Sequence, residues 1–367
     1  MKVITKVPGK LILLGEYGVL EGASALVATV NRFAQVTLES TEDSTFLLRA
    51  PAIDIPGMRF LIDASGKIQF LKRPLKKTAQ KMQLFLSIFE YALHTLKKHG
   101  KSLVSTSILL DTSEFFYQKQ SAKLGLGSSA ALTVALIASL YEHVTGRPQD
   151  ANKLFREALE AHRLAQGNIG SGIDVAASVY GGILCYKIED SWPNFSAKTE
   201  RLKMPSGLHY LPIWVGKSSS TIDFVKQFYK FKQLNRKHYQ TLLEEMQFWS
   251  SEGCRAFKQE NVPEFLESVR AYHQIMEKLG EKIGAPVISK EHQRLADISA
   301  NVGAVYKPSG AGGGDLGIAF SDSEDAIKRL REQIARAGFE IMDLDFGTTG
   351  IQIQHDEGKI HEDISNS

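Results

Sequence analysis

The segment Gly125-Leu126-Gly127-Ser128-Ser129-Ala130-Ala131 constrains this chain more than any other stretch. Its glycines permit a tight turn, and an apolar helix follows from about Ala130 to Val144, ended by Gly146 and Pro148. Such a turn exposes several backbone N–H groups at a helix N-terminus, where the helix dipole favours an anion. Glycine also lets the backbone approach phosphate oxygens without a Cβ in the way. A serine hydroxyl at that position can bind Mg²⁺. The other reading is a serine cap on a tight turn. The segment lacks the Gly-Lys-[Ser/Thr] ending of a P-loop, so that motif is excluded.

Two more glycine-containing loops stand out. Pro8-Gly9-Lys10 leads through an apolar strand to Gly15-Glu16-Tyr17. Lys307-Pro308-Ser309-Gly310-Ala311-Gly312-Gly313-Gly314-Asp315 matches no common turn, and its glycine run implies unusual φ values or a close approach by something else. A further turn, Gly167-Asn168-Ile169-Gly170-Ser171-Gly172-Ile173-Asp174, ends on an acid. That carboxylate either takes or orients a substrate proton, or caps the following helix.

The chain has 367 residues, enough for about two domains. The first third alternates like strands, and long helical patterns dominate from Thr221 to about Gln259 and from Pro263 to Lys282. The polar stretch from Glu189 to Pro205 suggests a boundary, giving domains 1–190 and 191–355 and a polar tail, 356–367. Net charge is +3, too weak for a nucleic-acid partner and compatible with holding a few anions. Cys185 and Cys254 match no metal-ligand or Cys-x-x-Cys spacing and read as reduced, buried thiols. No signal peptide or membrane span is expected, which leaves the cytoplasm as the default location.

Taken together and in this order, the three loops resemble those of the GHMP kinases, over nearly the whole chain from about Lys6 to about Gln354. The Gly-Leu-Gly-Ser-Ser-Ala-Ala stretch carries the superfamily likeness but not the substrate. Tyr17 after Gly15-Glu16, the Asp315 that follows the glycine run, and Trp214-Val215-Gly216-Lys217-Ser218-Ser219-Ser220-Thr221 are similar to the phosphomevalonate kinase branch. Where mevalonate kinases place a Mg²⁺-binding Glu, this chain has His162.

The resemblance implies an α+β, two-domain fold, with a ribosomal-S5-like N-terminal half and a ferredoxin-like C-terminal half, and an active site in the cleft between them. It implies ATP and Mg²⁺ as cofactors and a small anionic acceptor, with the protein a monomer or homodimer and no membrane partner. Lys10 and Asp174 would be catalytic. The nucleotide would lie on Lys123, Gly125, Leu126, Gly127, Ser128, Ser129 and Ala130, with Ser128 or Ser129 on the metal. Glu16, Tyr17, Ser171, Lys217, Ser219, Ser220, Ser309, Gly310, Ala311 and Gly312 would meet substrate, and Lys123 and Lys307 would add positive potential. The expected reaction is ATP-dependent phosphorylation of phosphomevalonate. The alternatives are another GHMP small-molecule kinase, acting on mevalonate or a sugar, or a non-catalytic binding protein on the same fold.

Overall fold

The structure is a computed structural model and describes residues 1–63, 65–117, 122–168, 170–219, 221–355 and 360–361. The chain runs β1 (Lys2–Leu14), β2 (Ala25–Ser40), β3 (Phe46–Ala50), β4 (Ile55–Ile62), β5 (Ile68–Phe70), α1 (Lys76–Lys98), β6 (Thr106–Asp111), β7 (Phe116–Tyr117) and β8 (Ala122–Lys123). Next come α2 (Ser128–Thr145), α3 (Ala151–Ala165), α4 (Ile173–Tyr180), β9 (Ile183–Asp190), β10 (Ser196–Leu202) and β11 (His209–Trp214). The remainder is α5 (Thr221–Leu234), α6 (Arg236–Lys258), α7 (Val262–Ile283), α8 (Lys290–Ala300), β12 (Val305–Ser309), β13 (Leu316–Ser321), α9 (Glu324–Arg336), β14 (Glu340–Ile341), β15 (Gln352–His355) and β16 (Ile360–His361).

A ten-stranded sheet forms the first half, in the order β16-β15-β1-β2-β6-β3-β4-β5, with β9 pairing β2 and β10 pairing β9. It therefore passes the expected boundary at 190, because β9 turns back into β10 through the register Leu202↔Ile183. It also recovers β15 from the far end of the chain, paired antiparallel with β1. The second sheet is β12-β13-β11-β14, backed by α8 and α9 over a small core of Leu211, Ile213, Leu295, Leu330 and Ile334.

Helix α2 is central. Ala130, Ala131, Val134, Ala135, Leu136, Ile137, Ala138 and Leu140 are all buried, so it is apolar on every side. A helix with that pattern belongs inside, and α2 packs against β1, β2, α1, α3 and α4. The single helical pattern expected from Thr221 to Gln259 is two helices, broken at Asn235 between α5 and α6. Among the described residues, no helix is long and apolar enough to cross a membrane.

Candidate active site

The three loops meet, and each pair of them is joined by a specific contact. Loop one touches loop two where the Lys10 N–H donates to the Leu126 carbonyl at 2.9 Å. Gly9 makes that approach possible, since a Cβ there would lie 2.7 Å from the Leu126 oxygen and 2.7 Å from the Phe115 ring. Loop two touches loop three at Gly125, whose φ is +73° and whose added Cβ would lie 2.6 Å from Asp315. Loop three touches loop one where the Ser309 hydroxyl donates to the Ile12 carbonyl at 2.9 Å. The Tyr17 hydroxyl donates to the Ala311 carbonyl at 2.5 Å.

At the centre of the last contact lies a buried ion pair. Lys307 Nζ donates to Glu16 Oε1 and to the Pro308 carbonyl, and Glu16 Oε1 also accepts from the Gly310 N–H at 3.3 Å. Lys307 is fully buried and Glu16 is 2% exposed. Burial pushes the Glu16 carboxyl up, and the Lys307 charge only partly opposes it. Burial likewise pulls the Lys307 ammonium down against the Glu16 charge. Among the described residues, Glu16 Oε2 finds no partner. From behind, His292 grips the same loop, with Nε2 3.1 Å from the Gly314 carbonyl and Nδ1 2.8 Å from the Tyr306 hydroxyl. A carbonyl can only accept, so Nε2 carries the proton and Nδ1 accepts from Tyr306. Desolvation lowers His292 to about 4, which keeps it neutral in that role.

These contacts already engage several residues expected to touch substrate. Glu16, Tyr17, Ser309 and Ala311 spend their polar groups fastening loop one to loop three. Ser171 is buried, with its hydroxyl accepting from the Ile173 N–H and its carbonyl accepting from the Tyr186 hydroxyl. Ser219 donates through its N–H and its hydroxyl to Asp315, at 3.2 and 3.1 Å. Lys217 is paired with Glu291 at 2.7 Å. Lys217 and the Ser289 hydroxyl together hold the Glu291 carboxyl down at about 2. The expected anion cradle around Lys217 therefore has its cation already matched. Lys307, expected to project positive potential, is neutralised inside the protein. Gly312 is shut in against the Val287 carbonyl. Ser220 lies outside the described residues.

What remains open lies around the start of helix α2. Helix α2 begins after Gly127, whose φ is +76°, and no side chain caps it. The N–H groups of Ser128, Ser129 and Ala130 thus stand at the positive end of an 18-residue helix. Among the described residues the Ser128 hydroxyl has no hydrogen-bond partner. The Ser129 hydroxyl lies 3.2 Å from His162 Nε2. His162, where the resemblance led one to seek a metal carboxylate, instead holds this serine. The Lys10 side chain runs beside Gly127, its Cε 3.1 Å from where a Cβ would stand, and makes no ion pair among the described residues. Gly310 has open space on its Cβ side. Lys123 is exposed at the rim, and its carbonyl accepts from the Ser218 hydroxyl at 2.8 Å, which ties the two halves together.

Asp174 sits in the first turn of α4, half-buried, with its Oδ1 accepting from the Val175 N–H at 3.2 Å. Helix α4 packs against β1, the strand that carries Lys10, and the Ser178 hydroxyl donates to the Pro8 carbonyl at 3.2 Å. Lys10 and Asp174 thus belong to neighbouring elements but form no direct ion pair. Burial, and then the Asp174 charge, push the Tyr186 phenol up, which places that tyrosine beside the acid.

One residue was missed as a site residue. Asp315 is half-buried with a φ of +60°, a conformation rare outside glycine. Burial raises its pKa first, against the hydrogen bonds from Ser219 and the charges of Lys10 and Lys123. Asp315 therefore stands among both lysines and Gly125. Its place directly after a glycine run was the available signal.

Comparison with known proteins agrees with this geometry. Residues 88–182 match the model of the GHMP kinases N terminal domain, which spans α2, α3, α4 and the glycine–serine loop. A phosphomevalonate kinase from Streptomyces is 26% identical over 92% of this chain and 95% of its own length. Phosphomevalonate kinase from Streptococcus pneumoniae, solved with phosphomevalonate and AMPPNP, superposes with a TM-score of 0.78 at 20% identity, covering 94% of this chain and 99% of that one. Residues 88–182 of this chain are a GHMP kinase N-terminal domain. The Lin0012 protein of Listeria innocua shares the fold still more fully, with a TM-score of 0.84 at 29% identity over 97% of this chain and all of that one.

Proposed function

We propose that this kinase moves the γ-phosphoryl group of ATP onto the phosphate of phosphomevalonate, giving ADP and diphosphomevalonate. The observation that supports the site assignment is the Lys10 side chain lying against Gly127, the residue that opens the uncapped helix α2. The S. pneumoniae relative, solved with phosphomevalonate and AMPPNP, supports the choice of acceptor.

The triphosphate would lie on the N–H groups of Ser128, Ser129 and Ala130, with the glycines of loop two giving it close access. Lys10 would offset the charge that builds on the transferred group. Mg²⁺ keeps most of its waters and needs few protein ligands. The free Ser128 hydroxyl fits it better than the engaged Ser129. When bound, Mg²⁺ neutralises phosphate charge. A phosphate monoester loses its second proton near about pH 6, so at neutral pH the attacking oxygen is already an anion. On this acceptor Asp174 has no proton to remove, and its part is to orient groups around the nucleophile. Gly310, open on its Cβ side, would face the acceptor.

An acceptor panel read through ADP release tests the proposal. Phosphomevalonate should turn over well, and mevalonate and galactose poorly. Strong turnover of mevalonate with none of phosphomevalonate would overturn it.

A further inference from the structure

Cys185 and Cys254 are far apart in sequence, but the fold brings them together by two independent routes. Cys185 lies on β9, directly opposite Glu200 on β10. Cys254 and Lys258 lie four residues apart on α6, hence on one face of that helix. Lys258 Nζ meets Glu200 Oε1 at 2.5 Å. The ion pair therefore docks one turn of α6 over the β9–β10 ladder at the rung that carries Cys185. The second route is electrostatic, since each thiol perturbs the ionisation of the other. Both thiols are free.

We propose that Cys185 and Cys254 are an oxidative modification site, a dithiol that closes reversibly to a disulfide joining the first sheet to helix α6. The two sulfurs are not equivalent. Cys185 is half-buried and Cys254 is buried. The interaction with Cys254 brings the Cys185 thiol down, with the Lys258 and Lys198 charges acting in the same direction. The same interaction and burial push Cys254 up. The thiolate is the nucleophile, so Cys185 reacts first.

With a peroxide as oxidant, the Cys185 thiolate attacks one oxygen, the O–O bond breaks, and hydroxide leaves and takes a proton to become water. Cys185 becomes a sulfenic acid. The Cys254 sulfur then attacks Cys185 sulfur, its proton goes to the departing hydroxyl, the S–O bond breaks, and water leaves. Two thiols have lost two electrons, and one peroxide has become two waters.

The test uses the full native chain, reduced, desalted and titrated with hydrogen peroxide. Remaining thiols are then blocked by alkylation, and the peptides are mapped without reductant. The expected result is a linked pair of peptides carrying Cys185 and Cys254, lighter by two hydrogens than their sum, that dithiothreitol reverses. In Cys254→Ala, dimedone should trap a sulfenic acid on Cys185. In Cys185→Ala, Cys254 should stay unoxidised at the same peroxide dose. The inference is overturned if Cys185 in the native chain goes on to sulfinic acid without a link to Cys254. A link that forms between chains, or only in urea, overturns it equally. The mapping of the unmutated chain decides the matter even if either variant folds poorly.

Discussion

Replacing Lys307 by methionine isolates the ion pair beneath the third loop. The change keeps most of the length of the side chain and removes its charge, leaving Glu16 buried with Oε2 already unpartnered among the described residues. Removing one partner of a buried pair costs about 3–5 kcal/mol, because the other charge stays desolvated. Unfolding entropy of about 2.1 cal/mol/K per residue comes to about 0.8 kcal/mol/K over 367 residues. The melting midpoint should then fall by roughly 4–7 °C. The loss should also depend on pH. Burial already raises Glu16 above its unfolded value, and Lys307 is what opposes the rise. Without Lys307 the carboxyl rises further, so the folded state binds a proton that the unfolded state has released. Stability is then fully retained below the unfolded carboxylate pKa and declines as pH climbs towards the raised folded value, by up to about 1.4 kcal/mol per pH unit. Urea melts at acid and at mildly alkaline pH read this directly. Lys307→Met should lose far less at the acid end, and Glu16→Gln combined with Lys307→Met should recover much of the alkaline loss. A midpoint equal to that of the parent protein, or a loss that is the same at every pH, would refute the reasoning.

Lys10→Met should lower kcat by about 100- to 1000-fold, the typical effect of removing one preorganised charge partner, with a smaller change in KM for ATP; unchanged turnover rejects its role. Ser128→Ala should raise the Mg²⁺ concentration for half-maximal rate by about tenfold, whereas Ser129→Ala, whose hydroxyl already faces His162, should move it little. Reversal of that order in a Mg²⁺ titration would reassign the metal ligand. Gly125→Ala places a Cβ 2.6 Å from Asp315 at a φ of +73°, and strain of about 1–3 kcal/mol should appear mainly as weaker ATP binding by isothermal titration. Asp174→Asn should lose a similar factor at pH 7 and pH 9 on phosphomevalonate, since no proton needs to be taken; a base would instead show its own titration in the kcat profile of the parent protein.

The loops themselves were legible because glycine runs and an uncapped helix start leave their mark in residue order. Which side chains reach the ligand was not. Glu16-Tyr17 and Lys307-Pro308-Ser309 look like ligand-contacting groups in one dimension, since they are polar residues flanking glycines. Their partners lie almost three hundred positions away, and only the folded chain reveals that they satisfy each other. Lys217 likewise has a partner distant in sequence, Glu291 on α8. The boundary at 190 was read from a polar stretch, but hydrogen bonds between β9 and β10 ignore polarity on the exposed face of an edge ladder. The return of β15 to β1 carries no local signal at all, because four alternating residues fit either sheet.

These contacts sharpen the site by subtraction. A crevice that must hold a triphosphate and a phosphorylated acceptor gathers many negative charges, so its cations have to be free while its scaffold stays fixed without them. The structure separates the two tasks. Glu16, Tyr17, Ser309 and His292 fix the loops through buried bonds that water cannot contest. Buried hydrogen-bonded groups resist displacement because unmaking them leaves polar atoms desolvated. Among the described residues, that leaves Lys10, Lys123 and the N–H groups that open α2 without carboxylate partners of their own beyond Asp315, which lies among them. Asp315 moderates this positive cluster, and its ties to Ser219 place it beside the segment that joins the second half of the chain to the Lys123 carbonyl. A phosphate arriving at Lys10 therefore meets a field that the loop geometry maintains and that no permanent ion pair has cancelled.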